Sequence, residues 1–81
     1  MPMTLDQVAL HQVVYIESVD QSPISSKLVE MGLTKGQEIS PVFKAPFGDP
    51  IAYEMNGSLL SIRQEEAQFI QVKSAAHFVS L

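Results

Sequence analysis

Ile51-Ala52-Tyr53-Glu54-Met55-Asn56-Gly57-Ser58-Leu59-Leu60-Ser61-Ile62 states a hairpin in two independent ways. Asn56-Gly57 is the favoured pair for a two-residue type I′ turn, whose central residues both need positive φ. That turn sets Met55 opposite Ser58, Tyr53 opposite Leu60 and Ile51 opposite Ile62. Side chains alternate along a strand, so these last two pairs put four large apolar groups on one face. Ala52 with Ser61 and Glu54 with Leu59 fall on the other. Turn chemistry and apolar alternation therefore give one register.

Immediately before the hairpin, Ala45-Pro46-Phe47-Gly48-Asp49-Pro50 holds two prolines and a glycine, which marks a loop. Upstream of it, residues 37–45 read as extended, interrupted by Pro41. Proline cannot donate to a ladder, so this strand is expected at an edge or bulged at Pro41. Thr34-Lys35-Gly36 forms the tight turn leading into it.

A short helix precedes that turn. Ser22-Pro23 offers an N-cap hydroxyl and a proline at the first helical position, where a missing N–H costs nothing. Ile24, Leu28 and Met31 form one apolar stripe at spacings of four and three. Gly32 stands where a left-handed C′ residue is wanted, and Leu33 at C″ is placed against Leu28, as in a Schellman ending. Before the helix, Val13, Val14, Tyr15, Ile16 and Val19 favour a strand. After the hairpin, residues 64–68 predict one helical turn and residues 69–73 a last strand.

The order is strand, helix, three strands, turn, strand: a mainly β chain of about five short strands with one inserted helix. Strands this short suggest a partly open barrel, with SH3-like and OB-like barrels as the candidates. Eighty-one residues leave room for one domain, expected over residues 1–73, with 74–81 as a C-terminal tail. Fraying is the simpler expectation for that tail; alternatively it, or an open edge strand, joins copies of the chain into a homo-oligomer.

Composition limits the function. Nine acidic and five basic residues give a net charge of −4, which opposes nucleic acid as a partner, since phosphate binding needs a clustered basic footprint. There is no cysteine, hence no disulfide framework, thiolate metal site or Cys nucleophile. No apolar run approaches the ~20 residues of a membrane span, and residues 1–4 lack a signal stretch, so a soluble cytoplasmic protein without membrane insertion is expected. His11 and His77 have no carboxylate at motif spacing, and no G-x-S-x-G, H-E-x-x-H or P-loop pattern occurs. The chain is read as non-enzymatic, with no catalytic or cofactor-binding residues. Glu65-Glu66 is the nearest thing to a metal pair, but adjacent side chains diverge, and a solvated acidic turn is the simpler reading.

The stretch Lys27-Leu28-Val29-Glu30-Met31-Gly32-Leu33-Thr34-Lys35-Gly36, followed by Ala45-Pro46-Phe47-Gly48-Asp49-Pro50-Ile51, resembles the FeoA family of ferrous iron transport proteins. Leu60-Ser61-Ile62-Arg63 and Ala67-Gln68-Phe69-Ile70-Gln71-Val72 continue the likeness, as do Leu5, Val8 and Ile16, over about residues 5–73. His11 departs from it, standing where the family usually has glycine, so a different first turn is expected. The resemblance implies an SH3-like barrel with one inserted helix, and a cytosolic accessory to FeoB, the membrane Fe(II) permease with a GTPase domain. It also implies kinship with the SH3-like ends of iron-dependent repressors, which makes a metal-responsive regulatory domain the alternative. No cofactor is required; transition-metal binding, Fe(II) or another divalent ion, is attached to the family without ligands being evident here.

The expected partner surface combines Leu33, Lys35 and Gly36 with Pro46, Phe47, Gly48, Asp49 and Pro50. These carry the family-like motifs, and Lys35, Phe47 and Asp49 have no evident packing duty. Phe47 is either an exposed anchor or a plug folded over one end of the barrel.

Overall fold

The computed structural model describes residues 3–21 and 25–74. The N-cap at Ser22-Pro23, the stripe residue Ile24 and the expected 74–81 tail except Ser74 lie outside the described residues, and Ser74 ends the last strand, Ile70–Ser74.

The elements in chain order are β1 (Met3–Thr4), a 3-10 turn (Leu5–Gln7), β2 (Val14–Val19), α1 (Ser25–Glu30), β3 (Glu38–Lys44), β4 (Ile51–Met55), β5 (Ser58–Ile62), α2 (Gln64–Ala67) and β6 (Ile70–Ser74). The strands form one six-stranded sheet in the order β1-β6-β2-β3-β4-β5, with every neighbouring pair antiparallel. Six strands replace the expected five because two residues before the 3-10 turn pair with β6, Met3 with Val72 and Thr4 with Gln71. So short a strand has no alternation from which to be read.

The β4–β5 register is the one the turn dictates: Met55 faces Ser58, Tyr53 faces Leu60 and Ile51 faces Ile62. Asn56 and Gly57 both have positive φ. Ile51, Tyr53 and Ile62 are buried in the core, and Leu60 packs against it half-buried, at the outer strand of the sheet.

Pro41 is not at an edge of the sheet, since β3 lies between β2 and β4. It takes the other expected solution. The β3–β4 register shifts between Pro41 and Phe43, while the ladder to β2 has ended at Ile39, so no donor is required on that side. The Pro41 carbonyl instead accepts the His11 amide at 2.6 Å. A second shift lies between Ile16 and Ser18 in the β2–β6 pair. Bulges of this kind bend a strand and raise its twist, and they help the sheet curl round Val14, Ile16, Ile39, Tyr53 and Val72.

The first turn keeps a glycine-like geometry although it has no glycine. His11 has φ 70°, the left-handed conformation that histidine adopts more readily than most side chains. Histidine thus holds a left-handed position here without glycine's freedom.

The end of α1 is a complete Schellman motif. The Leu33 amide donates to the Leu28 carbonyl at 3.2 Å, and the Gly32 amide to the Val29 carbonyl at 2.9 Å. Gly32 has φ 92°. Both leucines are fully buried, so the hydrophobic contact expected of this ending is part of the core.

Candidate functional site: the Ala45–Pro50 loop

The loop between β3 and β4 is built from short-range backbone bonds. Gly48 N–H donates to Ala45 O at 2.7 Å, and Ala45 N–H to Pro50 O at 3.1 Å. Pro46 sits second in the turn that the first bond closes, where its fixed φ is already suitable. Gly48, at φ 89°, supplies the left-handed residue that leads out. The Asp49–Pro50 peptide is cis.

Side-chain bonds then fasten the loop to the start of α2. Asp49 Oδ1 accepts the Gln64 amide at 2.9 Å, and Gln64 Nε2 donates to the Gly48 carbonyl at the same distance. Arg63 Nη1 lies 3.9 Å from Asp49 Oδ2. The helix turn is secured in its own right, because Glu66 Oε1 accepts the Arg63 amide at 3.0 Å and Glu66 Oε2 accepts Lys27 Nζ at 2.9 Å. The Lys27 hydrogen bond, followed by the Arg63 amide, holds the Glu66 carboxyl below its ordinary pKa despite its burial.

This frame presents Phe47 at full exposure, 101%. Of its two expected roles the structure gives the projecting side chain and not the plug. A fixed loop with an aromatic at its tip has lost most of its conformational entropy before any encounter.

The remaining expected site residues do not all join it. Leu33 is a core residue with no exposed surface. The Gly36 amide donates to Ile16 O at 2.8 Å, fixing the Lys35-Gly36 turn on β2, with Lys35 exposed. That turn precedes β3 and the Pro46 loop follows it, so the two segments sit at opposite ends of a seven-residue strand, up to ~20 Å apart at about 3.3 Å per residue. Asp49, expected to be idle, has a structural duty at the start of α2. The signal for that duty is weak in sequence, because its partner amide lies fifteen residues away. Glu66 could have been suspected as a helix N3 acceptor, but Arg63 stands where Ser or Thr would complete a capping box.

No group of three or more His, Cys, Asp or Glu that could hold a metal ion occurs among the described residues. Glu65 is exposed and Glu66 buried, so the acidic pair diverges as adjacent positions on a helix must. His77 lies outside the described residues. None of their helices is long and apolar enough to cross a membrane.

A curled antiparallel sheet closed over one core, with a single helix between its first long strands, defines a small SH3-like barrel. The chain belongs to the FeoA family: the family model described as FeoA domain matches residues 3–74. Among solved structures, a FeoA-like protein from Clostridium acetobutylicum is 36% identical with a TM-score of 0.84, covering 91% of this chain and 87% of that one. FeoA from Stenotrophomonas maltophilia, described as a procaryotic SH3 domain protein complexed with zinc, is 32% identical with a TM-score of 0.77, covering 88% of this chain and 89% of that one. The manganese regulator SloR shares the fold at a TM-score of 0.75 and 19% identity, over 89% of this chain and 34% of that one. No curated protein matches the chain significantly.

Proposed function

We propose that this chain is a non-enzymatic cytosolic accessory of ferrous iron uptake that docks, through the Pro46-Phe47-Gly48 tip, on the cytosolic GTPase domain of a FeoB-like permease. Family membership supports the transport setting, as does the description of the S. maltophilia relative as a candidate activating factor for ferrous iron transport. The observation that carries the docking reading is Phe47, fully exposed on a loop pinned at both Gly48 and Asp49. A large aromatic held in water without a packing role suits an anchor that fills a pocket on a partner.

The test is titration of the full chain and its Phe47→Ala variant against the isolated GTPase domain, with and without Fe(II). The parent binds and the variant binds more weakly while folding normally. Equal affinity of a folded Phe47→Ala protein would reject this tip as the contact.

A metal-responsive regulatory domain is the second reading, and the zinc complex of the S. maltophilia relative is what favours it. In that case binding to the GTPase domain would appear only on addition of Fe(II).

A further inference from the structure

We propose that β5 is the docking edge for a second copy of this chain, the two sheets joining antiparallel into one continuous sheet. β5 ends the strand order on one side. The opposite end is β1, only two residues long, and very short edge strands are one way that sheets avoid pairing with other chains. Among the described residues β5 has no such protection. It runs for five residues, Ser58-Leu59-Leu60-Ser61-Ile62, with no charge, no proline and no register shift against β4.

The hairpin geometry identifies which backbone groups are available. In a two-residue hairpin the pair flanking the turn exchanges both backbone hydrogen bonds, and bonded pairs alternate from there. Ser58, Leu60 and Ile62 therefore bond to β4, while the N–H and C=O of Leu59 and Ser61 point along the free edge. Leu59 is also 70% exposed. Beside the edge lies an open groove of about 410 Å³, bounded by Met31 and Gly32 after α1 and by Met55, Leu59 and Leu60 of the hairpin, with no charged residue in its lining.

Charge and symmetry select the occupant. At −4, two copies repel wherever their charged surfaces meet, and β5 with its groove is an uncharged strip. A two-fold axis at Leu60 pairs β5 with itself: Leu59 of each copy lies opposite Ser61 of the other, large against small, and Leu60 faces Leu60. The charges flanking the strip are Glu54, paired with Leu59 on β4, and Arg63, next after Ile62. The same axis carries Arg63 of each copy toward the Glu54 side of the other, so opposite signs approach at both ends.

Sedimentation equilibrium of the full chain over a concentration series should show the mass rising from 8.9 kDa toward twice that value. Leu59→Lys and Ser61→Pro should each hold it at the monomer mass. Both positions are exposed with backbone groups turned away from β4, so their unfolding midpoints should stay close to the parent's, separating lost association from lost folding. Because the chain has no cysteine, Leu60→Cys adds a single thiol. The pairing puts its Cα about 4.5 Å from its mate in a non-hydrogen-bonded pair, within disulfide reach, so mild oxidation should yield a covalent dimer that Ser58→Cys does not give. A mass fixed at that of the monomer up to ~1 mM, or a dimer that survives Leu59→Lys and Ser61→Pro, overturns the proposal. A dimer lost in Phe78→Asp but kept in Leu59→Lys would assign the association to residues 75–81 and overturn it equally.

Discussion

Lys27 and Glu66, thirty-nine residues apart in sequence, meet at 2.9 Å and tie the first helix to the second. Glu66 is buried and Lys27 is mostly exposed, so the pair is solvated on one side only. The folded carboxyl sits below its usual pKa of 4.5, which means that the unfolded chain binds this proton more readily. The stabilisation is therefore complete above pH 4.5 and is lost as pH falls through the lower folded value. Glu66→Gln should cost about 1–2 kcal/mol at neutral pH, as expected for hydrogen bonds to a charged group. The gap from the parent should narrow in acid. Urea unfolding at pH 7 and pH 3 measures both, and a gap that does not change with pH would remove the assigned cause.

Tyr53 poses the opposite case. It is fully buried in the core, and its hydroxyl has no hydrogen-bond partner among the described residues. Burial foremost, then the charges of Asp6 and Asp49, raise its pKa above the ordinary value of 10.0. The folded state thus holds the phenolic proton more tightly than the unfolded one, and stability should fall as pH rises past 10. Tyr53→Phe should abolish that alkaline loss and leave neutral stability unchanged or raised by ~1 kcal/mol. Thermal melts at pH 7 and above pH 10 check it.

Gly32 and His11 share a left-handed backbone, at φ 92° and 70°, and predict opposite substitutions. A Cβ on Gly32 would meet Met55 Cε at 3.6 Å, ordinary contact, so the cost of Gly32→Ala is one of backbone and should be about 1 kcal/mol. His11→Gly relieves the corresponding strain but loosens the unfolded chain, giving a change between zero and ~1 kcal/mol in the stabilising direction. Chemical denaturation of both variants decides it. A destabilised His11→Gly protein would mean that the imidazole itself contributes to the fold.

The hairpin separates two neighbours of like chemistry. Ile62 has no exposed surface, whereas Leu60 is only half-buried at the open edge. Ile62→Ala should cost roughly 2–5 kcal/mol, and Leu60→Ala about half as much, because part of its surface already meets water. At dilutions where the chain is a monomer, equal losses would remove the assigned difference in burial.

Legibility in the sequence followed the range of the interaction. The β4–β5 register and the Gly32-Leu33 helix stop were readable because one short segment contains both the geometry and the residues that need it. Pro41 narrowed β3 to two solutions, and only its neighbours on both sides distinguished bulge from edge. The expected partner surface depends on tertiary placement, which short-range patterns do not carry. Leu33 stands beside Lys35 in the expected partner surface, yet the Schellman contact with Leu28 that the sequence also predicts takes it into the core. Asp49 looks idle until β5 delivers the Gln64 amide to it. Phe47 could be read as plug or anchor, since nothing local says which way an aromatic in a turn will point.

Asp49 and Phe47 should act on the partner as a unit, one holding the loop and the other making the contact. Phe47→Ala removes the exposed ring and should weaken binding to the FeoB-like GTPase domain by about 1–3 kcal/mol with stability unchanged. Asp49→Ala leaves the ring but frees the Gln64 amide. It should lower stability by ~1 kcal/mol, as lost helix caps do, and weaken binding because the loop must then be ordered on contact. With Phe47 absent there is little left to preorganise, so the double variant should bind no worse than Phe47→Ala alone, a coupling that calorimetric titration of all four proteins can read. Lys35→Ala, at the far end of β3, should leave affinity within about 0.5 kcal/mol. Strict additivity of the Asp49 and Phe47 effects would reject preorganisation, and a large loss in Lys35→Ala would move the contact to the opposite end of the barrel.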